Sequence, residues 1–126
     1  MLARSVVSIV DDDESVRESL PDLLRELGFA VQAYASAEEF LGSDGVGTSN
    51  CLLLDVAMPG MSGPALQHEL ARRKRAIPIV FMTALRETGI RERVLAAGAV
   101  ECLFKPFTEA ALLDAVTMAL RTENGA

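Results

Sequence analysis

The chain has no tryptophan and one tyrosine among its 126 residues, so it lacks the aromatic platform on which proteins stack single-stranded bases. It has no basic excess either. Its 12 Lys and Arg stand against 18 Asp and Glu, giving a net charge of −6. That balance speaks against a grip on nucleic-acid phosphates and favours a divalent cation or a basic partner surface. No apolar run approaches the roughly 20 residues of a membrane span. Met1 to Ser5 leads so directly into an apolar run that no signal peptide is expected. The two cysteines, Cys51 and Cys102, lie in separate runs without CxxC spacing. They read as reduced core residues of a cytoplasmic protein.

Apolar residues make up 50% of the chain, ample for the core of one domain of this length. Short strand-like runs alternate with helix-like segments. The strands read Val6 to Val10, Phe29 to Tyr34, Cys51 to Asp55, Ile79 to Thr83 and Val100 to Phe104. The first helix carries Val16, Leu20, Leu24 and Leu27 on one face and stops at Gly28. Pro21 inside it predicts a kink near Arg17 to Leu20. Ser36-Ala37-Glu38-Glu39 reads as a capping box opening a short second helix that ends near Leu41. Gly42 to Asn50 reads as a loop. The third helix shows Leu66, Leu70 and Ala65 as its apolar face, and the fourth a thin stripe of Ile90, Val94 and Ala97 before Gly98. The fifth carries Leu112, Leu113, Val116 and Leu120.

Regular βα alternation implies a parallel sheet with helices on both faces. Strands buried on both faces are continuous apolar runs. The second and fifth strands carry Gln32 and Glu101, which places them at the edges. The expected fold is a flavodoxin-like, doubly wound (βα)5 sheet of order 2-1-3-4-5. Residues 1–121 form the domain, and 122–126 form a polar tail or the start of a linker.

Polar residues gather where the strands end. Asp11-Asp12-Asp13 follows the first, Asp55 closes the third, Thr83 closes the fourth, and Lys105-Pro106 follows the fifth. In an open α/β sheet these meet at the carboxyl edge, where ligands bind. Crowded carboxylates repel, and a divalent cation relieves the repulsion. The acid run taken alone is equally an exposed acidic helix start; Asp55 on the neighbouring strand favours the metal. An aspartate is also a nucleophile towards phosphorus once its charge is offset. Mg²⁺ suits a site of few carboxylates and phosphoryl oxygens. Pro106 restricts Lys105 to extended backbone, aiming its ammonium over that edge, and permits a cis Lys105-Pro106 bond.

Ile9 to Asp13, Leu54-Asp55-Val56-Ala57-Met58-Pro59-Gly60-Met61-Ser62-Gly63, Met82-Thr83-Ala84, Ala97-Gly98-Ala99 and Phe104-Lys105-Pro106-Phe107 together resemble the receiver domain of two-component response regulators. The match runs from about Val6 to Leu120. The resemblance implies that Asp55 accepts a phosphoryl group from a sensor histidine kinase or phosphotransfer protein. It implies that Asp12 and Asp55 ligate Mg²⁺ by side chain, Ala57 by its carbonyl, and Asp11 through a water. Thr83 and Lys105 would each hold a phosphoryl oxygen. The output face would be the fourth helix, fifth strand and fifth helix, where Arg86, Glu87, Arg91, Glu92 and Arg93 are expected to be exposed. That face would serve a homodimer or a C-terminal effector domain. The turn segments are most similar to receivers of the FixJ/NarL type, which carry helix-turn-helix DNA-binding domains.

Receivers usually place an aromatic residue three before the lysine. Cys102 stands there, so transmission is expected through the backbone of the fourth strand and fourth helix as Thr83 shifts. Two other functions fit the acids less well. An aspartyl-phosphate phosphatase commonly has a second acid two residues after its nucleophile, and Ala57 occupies that position. A receiver-like binding module without phosphorylation would not need the full set Asp11, Asp12, Asp55, Thr83 and Lys105. The chain therefore reads as a signalling phosphoacceptor, catalysing at most its own phosphorylation and dephosphorylation. His68, Met58 and Met61 read as a surface residue and two packing residues. Arg72 to Arg75 suit the negative pole of the third helix.

Overall fold

A computed structural model describes residues 4–84 and 89–123 of the chain. Five parallel strands, β1 (Val6–Val10), β2 (Ala30–Tyr34), β3 (Cys51–Asp55), β4 (Ile79–Thr83) and β5 (Glu101–Phe104), form one sheet in the order β2-β1-β3-β4-β5. The helices are α1 (Glu14–Glu26), α2 (Ala37–Leu41), α3 (Gly45–Thr48), α4 (Gly63–Arg72), α5 (Ile90–Ala96) and α6 (Glu109–Glu123). The predicted third, fourth and fifth helices are thus α4, α5 and α6. The central strands β3 and β4 are buried at every residue. Gln32 is exposed on edge strand β2, and Glu101 on edge strand β5 pairs with Arg91 at 2.8 Å.

Alternation along each strand divides the core into two layers. Val7, Ile9, Leu53, Val80 and Met82 pack with Leu20, Leu24, Leu112 and Val116 of α1 and α6. Val10, Leu52, Leu54 and Phe81 pack with Phe40, Leu66, Leu70, Ile90 and Val94. Leu52, Leu53 and Leu54 have no exposed surface, and each such burial stabilises by about 1.5–3 kcal/mol. Cys51 and Cys102 are free, buried thiols, one in each layer. Burial pushes the Cys51 thiol up to about 12, as suits an inert packing residue.

Local signals set the element ends. The Asp13 side chain caps α1 by accepting the Ser15 amide at 2.8 Å. Gly28, at φ +101°, turns the chain out while its amide and that of Phe29 bond back to the carbonyls of Arg25 and Leu24. The Ser36 hydroxyl caps α2 by accepting the Glu39 amide at 3.0 Å. Gly98, at φ +110°, repeats the glycine exit after α5.

Helix α1 runs unbroken through Pro21, which is itself buried; packing of its apolar face outweighs the one hydrogen bond the ring deletes. Several other details differ from expectation. The stretch read as a loop contains the turn α3, anchored because the Ser49 hydroxyl donates to the Gly45 carbonyl at 2.6 Å. On α4 the third buried residue is Gln67, not Ala65, which is exposed. The Gln67 amide group donates to the Val94 carbonyl of α5 at 3.1 Å, satisfying its burial. Ala97 caps α5 and faces outward. On α6, Ala115 and Ala119 join Leu112 and Val116 in the core, while Leu113 and Leu120 are half-buried. Small side chains there let the helix lie close to the sheet. His68 is exposed, and Met58 and Met61 pack against the core, as expected. Arg72 and Arg73 of the basic run both reach Glu69, at 2.6 and 2.7 Å.

Gly63 opens α4 directly against the end of β3. Its amide donates to the Val56 carbonyl at 2.9 Å. A Cβ there would overlap the Asp55 carbonyl oxygen and stand 2.9 Å from the Phe81 ring. Gly63→Ala should therefore cost about 1–3 kcal/mol, the usual penalty of overpacking a close contact. Gly47→Ala, with nothing within 4 Å of the added carbon, should be neutral or stabilise by about 0.4–1 kcal/mol. Urea midpoints of the two variants check the contrast; equal midpoints would show that the approach of α4 to Asp55 is not tight.

Candidate functional site

Strand register brings the expected residues together. Val10 pairs with Leu54, so Asp11 and Asp55 leave adjacent strands side by side. Asp55 pairs with Met82, placing Thr83 one step further on, and Thr83 pairs with Phe104 just before Lys105. Asp11, Asp12, Asp13, Asp55, Ala57, Thr83, Ala84 and Lys105 line one cleft of about 410 Å³ at the carboxyl edge. Every residue singled out from the sequence for this site is among them.

Asp11 is fully buried and held on all sides. Its amide donates to the Tyr34 carbonyl at 3.2 Å. One carboxylate oxygen accepts the Asp13 amide at 2.9 Å, and the other accepts Lys105 Nζ at 2.9 Å. Its carbonyl accepts the guanidinium of Arg17 at 2.9 Å. Lys105 Nζ also lies 3.9 Å from Asp55 Oδ1, and the Lys105-Pro106 bond is cis. Thr83 is 1% exposed, whereas Asp12 and Ala57 are open to solvent.

One lysine does not neutralise this group. Oxygens of Asp11, Asp12 and Asp55 all lie within 4.8 Å of one another. Burial, and then the Asp11 charge, push the Asp55 carboxyl up to about 6 against the pull of Lys105, with Asp12 adding to the rise. Carboxylates disposed in this way fit a small, hard, oxygen-seeking dication, which would relieve their repulsion. The donors suit Mg²⁺, with room in an open cleft for waters and for phosphoryl oxygens.

Two contributors escaped the sequence reading. Arg17 lies six residues from the carbonyl it holds. Glu38, an exposed α2 residue, accepts the Met61 amide at 3.0 Å and so ties down the loop that follows Ala57. In the sequence, Arg17 is an ordinary polar helix residue and Glu38 an ordinary capping-box acid. Only the folded chain brings either to the site. Arg91, Glu92 and Arg93 of α5 are exposed as expected, while Arg86 and Glu87 lie outside the described residues.

With this geometry in place, comparison with known proteins is direct. The response regulator receiver domain family matches residues 7–117, and the chain belongs to that family. Nodulation protein W of Bradyrhizobium diazoefficiens is 44% identical over 116 residues, covering 92% of this chain and 51% of its own length. The structure of the response regulator StyR superimposes with a TM-score of 0.90 at 46% identity, covering 98% of this chain and 62% of that one. The FixJ-N structure gives 0.85 at 34% identity, covering 95% and 96%. The chain spans about half the length of curated relatives such as Nodulation protein W. Among the described residues no helix is long and apolar enough to cross a membrane.

The raised Asp55 carboxyl has a signed consequence. Because its folded value of about 6 exceeds its ordinary 3.8, its contribution to metal-free stability is complete below 3.8 and is lost as pH rises through about 6. A dication taken up by this carboxylate would have to displace that proton. Apparent Mg²⁺ affinity should therefore fall by about tenfold per pH unit below 6 and level off above it. Calorimetric titrations between pH 5 and 8 measure this, and Asp55→Asn should lose the break. A flat profile in the wild type would remove Asp55 from the metal site.

Proposed function

We propose that this receiver domain accepts a phosphoryl group on Asp55 in a Mg²⁺-dependent reaction and changes its partner-binding surface in response. The observation that carries this reading is the Asp55 carboxylate at the cleft, 3.9 Å from an ammonium and crowded by two further acids. Asp12 and Asp55 would hold the metal by their side chains and Ala57 by its carbonyl. Asp11 would act through a water, since both its oxygens are already engaged by Asp13 and Lys105. Bound Mg²⁺ would offset the repulsion between an attacking carboxylate and the phosphoryl oxygens.

In the transfer, an Asp55 carboxylate oxygen bonds to phosphorus as the P–N bond of a donor phosphohistidine breaks. The bonding electrons leave on the imidazole nitrogen, which takes up a proton. Lys105 leaves part of its pairing with Asp11 to bind one phosphoryl oxygen, and the Thr83 hydroxyl binds another. The product carries close to two negative charges where the carboxylate carried one, and shifts an existing equilibrium between two conformations. Transmission then runs from Thr83 through the backbone of β4 into α5, because Cys102 supplies no ring. The donor is a sensor histidine kinase or a phosphotransfer protein. The responding face is α5, β5 and α6, serving a second copy or a C-terminal effector domain.

Ala57 offers no acid to a leaving group, so turnover of phosphomonoesters is not expected. Intact-mass spectrometry after incubation with Mg²⁺ and acetyl phosphate tests the proposal. The wild type should gain one phosphoryl adduct and Asp55→Asn none. Lys105→Met should retain the acceptor but react more slowly by on the order of tenfold or more, as expected on losing one preorganised donor. Absence of the adduct from the wild type under conditions where Mg²⁺ binds would overturn the reading.

A further inference from the structure

Asp12 is the least supported of the acids. It is exposed, and among the described residues no hydrogen bond holds its carboxylate. Its direction depends on the peptide that joins it to Asp11. That peptide lies beyond the last paired residues of β1, so no neighbouring strand fixes its carbonyl. What fixes it is Arg17, whose Nη1 donates to the Asp11 carbonyl at 2.9 Å from the first turns of α1. The bonds to Tyr34 and Lys105 hold the Asp11 amide and one carboxylate oxygen, and the Asp13 amide, bonded to the other oxygen, holds the far side of Asp12. Among the described residues the Arg17 bond is the one that engages the Asp11 carbonyl itself.

From this we infer that Arg17 is a positioning residue for the metal site: its bond to the Asp11 carbonyl sets the peptide that aims the Asp12 carboxylate. The inference rests on the reading of Asp12 as a metal ligand. Charge alone would make Arg17 act in the opposite direction. A guanidinium beside an acidic cluster repels a dication, so an effect through the field alone predicts tighter Mg²⁺ binding when it is removed. Positioning predicts weaker binding, because a carboxylate free to rotate must be ordered by the metal itself. The sign of the change separates the two.

Arg17 also belongs to α1, whose core face lies against β1 and β3. Its bond joins that helix to the acid loop across six residues.

The test is calorimetric Mg²⁺ titration of the wild type, Arg17→Gln and Arg17→Lys at pH 8, with urea midpoints measured without metal. Glutamine is too short to reach the carbonyl. Lysine keeps the charge and a single donor in place of the planar fork. Arg17→Gln should raise the Mg²⁺ dissociation constant about five- to tenfold, and Arg17→Lys should recover part of that loss. An unchanged or lower constant in Arg17→Gln overturns the inference, as does a lower urea midpoint with unchanged Mg²⁺ affinity. Should Arg17→Gln fail to fold, Arg17→Lys decides alone: weaker Mg²⁺ binding than the wild type supports positioning, and affinity equal to the wild type overturns it. Mg²⁺ binding is read without acetyl phosphate. A wild type that binds Mg²⁺ but gains no adduct therefore counts against the proposed function and leaves the Arg17 comparison intact.

Discussion

The structure depends on holding two carboxylates next to each other at the ends of adjacent buried strands. Asp11 has no exposed surface and Asp55 is 8% exposed. Neither can be solvated as a free surface acid is, and like charges so placed oppose each other. The pairing of Lys105 with Asp11 makes the arrangement tolerable in the absence of metal. It spans 94 residues and ties edge strand β5 to β1 across the two strands between them, β3 and β4. Removing one partner of such a buried pair leaves an uncompensated charge, which is far costlier than never having built the pair. The sheet is therefore closed over its active edge by electrostatics, and over its body by apolar packing.

That division explains where polarity is admitted. The bodies of β3 and β4 are wholly buried, and the acids, hydroxyl and ammonium of the cleft stand at the final residue of a strand or within three residues of it. The carboxyl edge is the one place where side chains from β1, β3, β4 and β5 meet without sheet hydrogen bonds to satisfy. Unfavourable charge stored there is offset by the remainder of the core, a common arrangement at functional sites. A dication held at this edge would relieve that repulsion.

Much of this was legible in the sequence, for an identifiable reason. Continuous apolar runs mark central parallel strands, and Gln32 and Glu101 mark the edges, so strand order followed from two polar residues. Once the order is known, strand ends specify the site, and Asp11, Asp12, Asp55, Thr83 and Lys105 fall into one cleft, which Ala57, supplied by the family resemblance, also lines. The features that were not legible are those that depend on partners distant in the chain or on spacing between helices. Gln67 looks like a solvated residue until α5 supplies the Val94 carbonyl. Ala115 and Ala119 carry too little hydrophobic signal to announce a core face, yet α6 approaches the sheet through them. The turn α3 lies in a Gly- and Ser-rich stretch where composition suggests a loop. Arg17 and Glu38 support the site through backbone groups, which no side-chain motif records.

The two faces of the sheet are built unequally, and the inequality matches the proposed switch. On one face α1 and α6 lie over an apolar layer, and Arg17 fastens α1 to the acid loop. On the other, α4 and α5 meet around a buried polar bond, Gln67 to Val94, with clefts of about 400 and 250 Å³ that it helps to line. A hydrogen bond can be exchanged for another at modest net cost, whereas an interdigitated apolar layer resists small displacements. The helix that follows Thr83 is thus the one seated on the more adjustable side. Cys102 sits beneath it as a small buried side chain in place of a swinging ring. In the proposed switch, with no ring at Cys102 to rotate, a change at Thr83 would reach the α5 surface by moving β4 and α5 themselves, and the polar seam offers room for that movement.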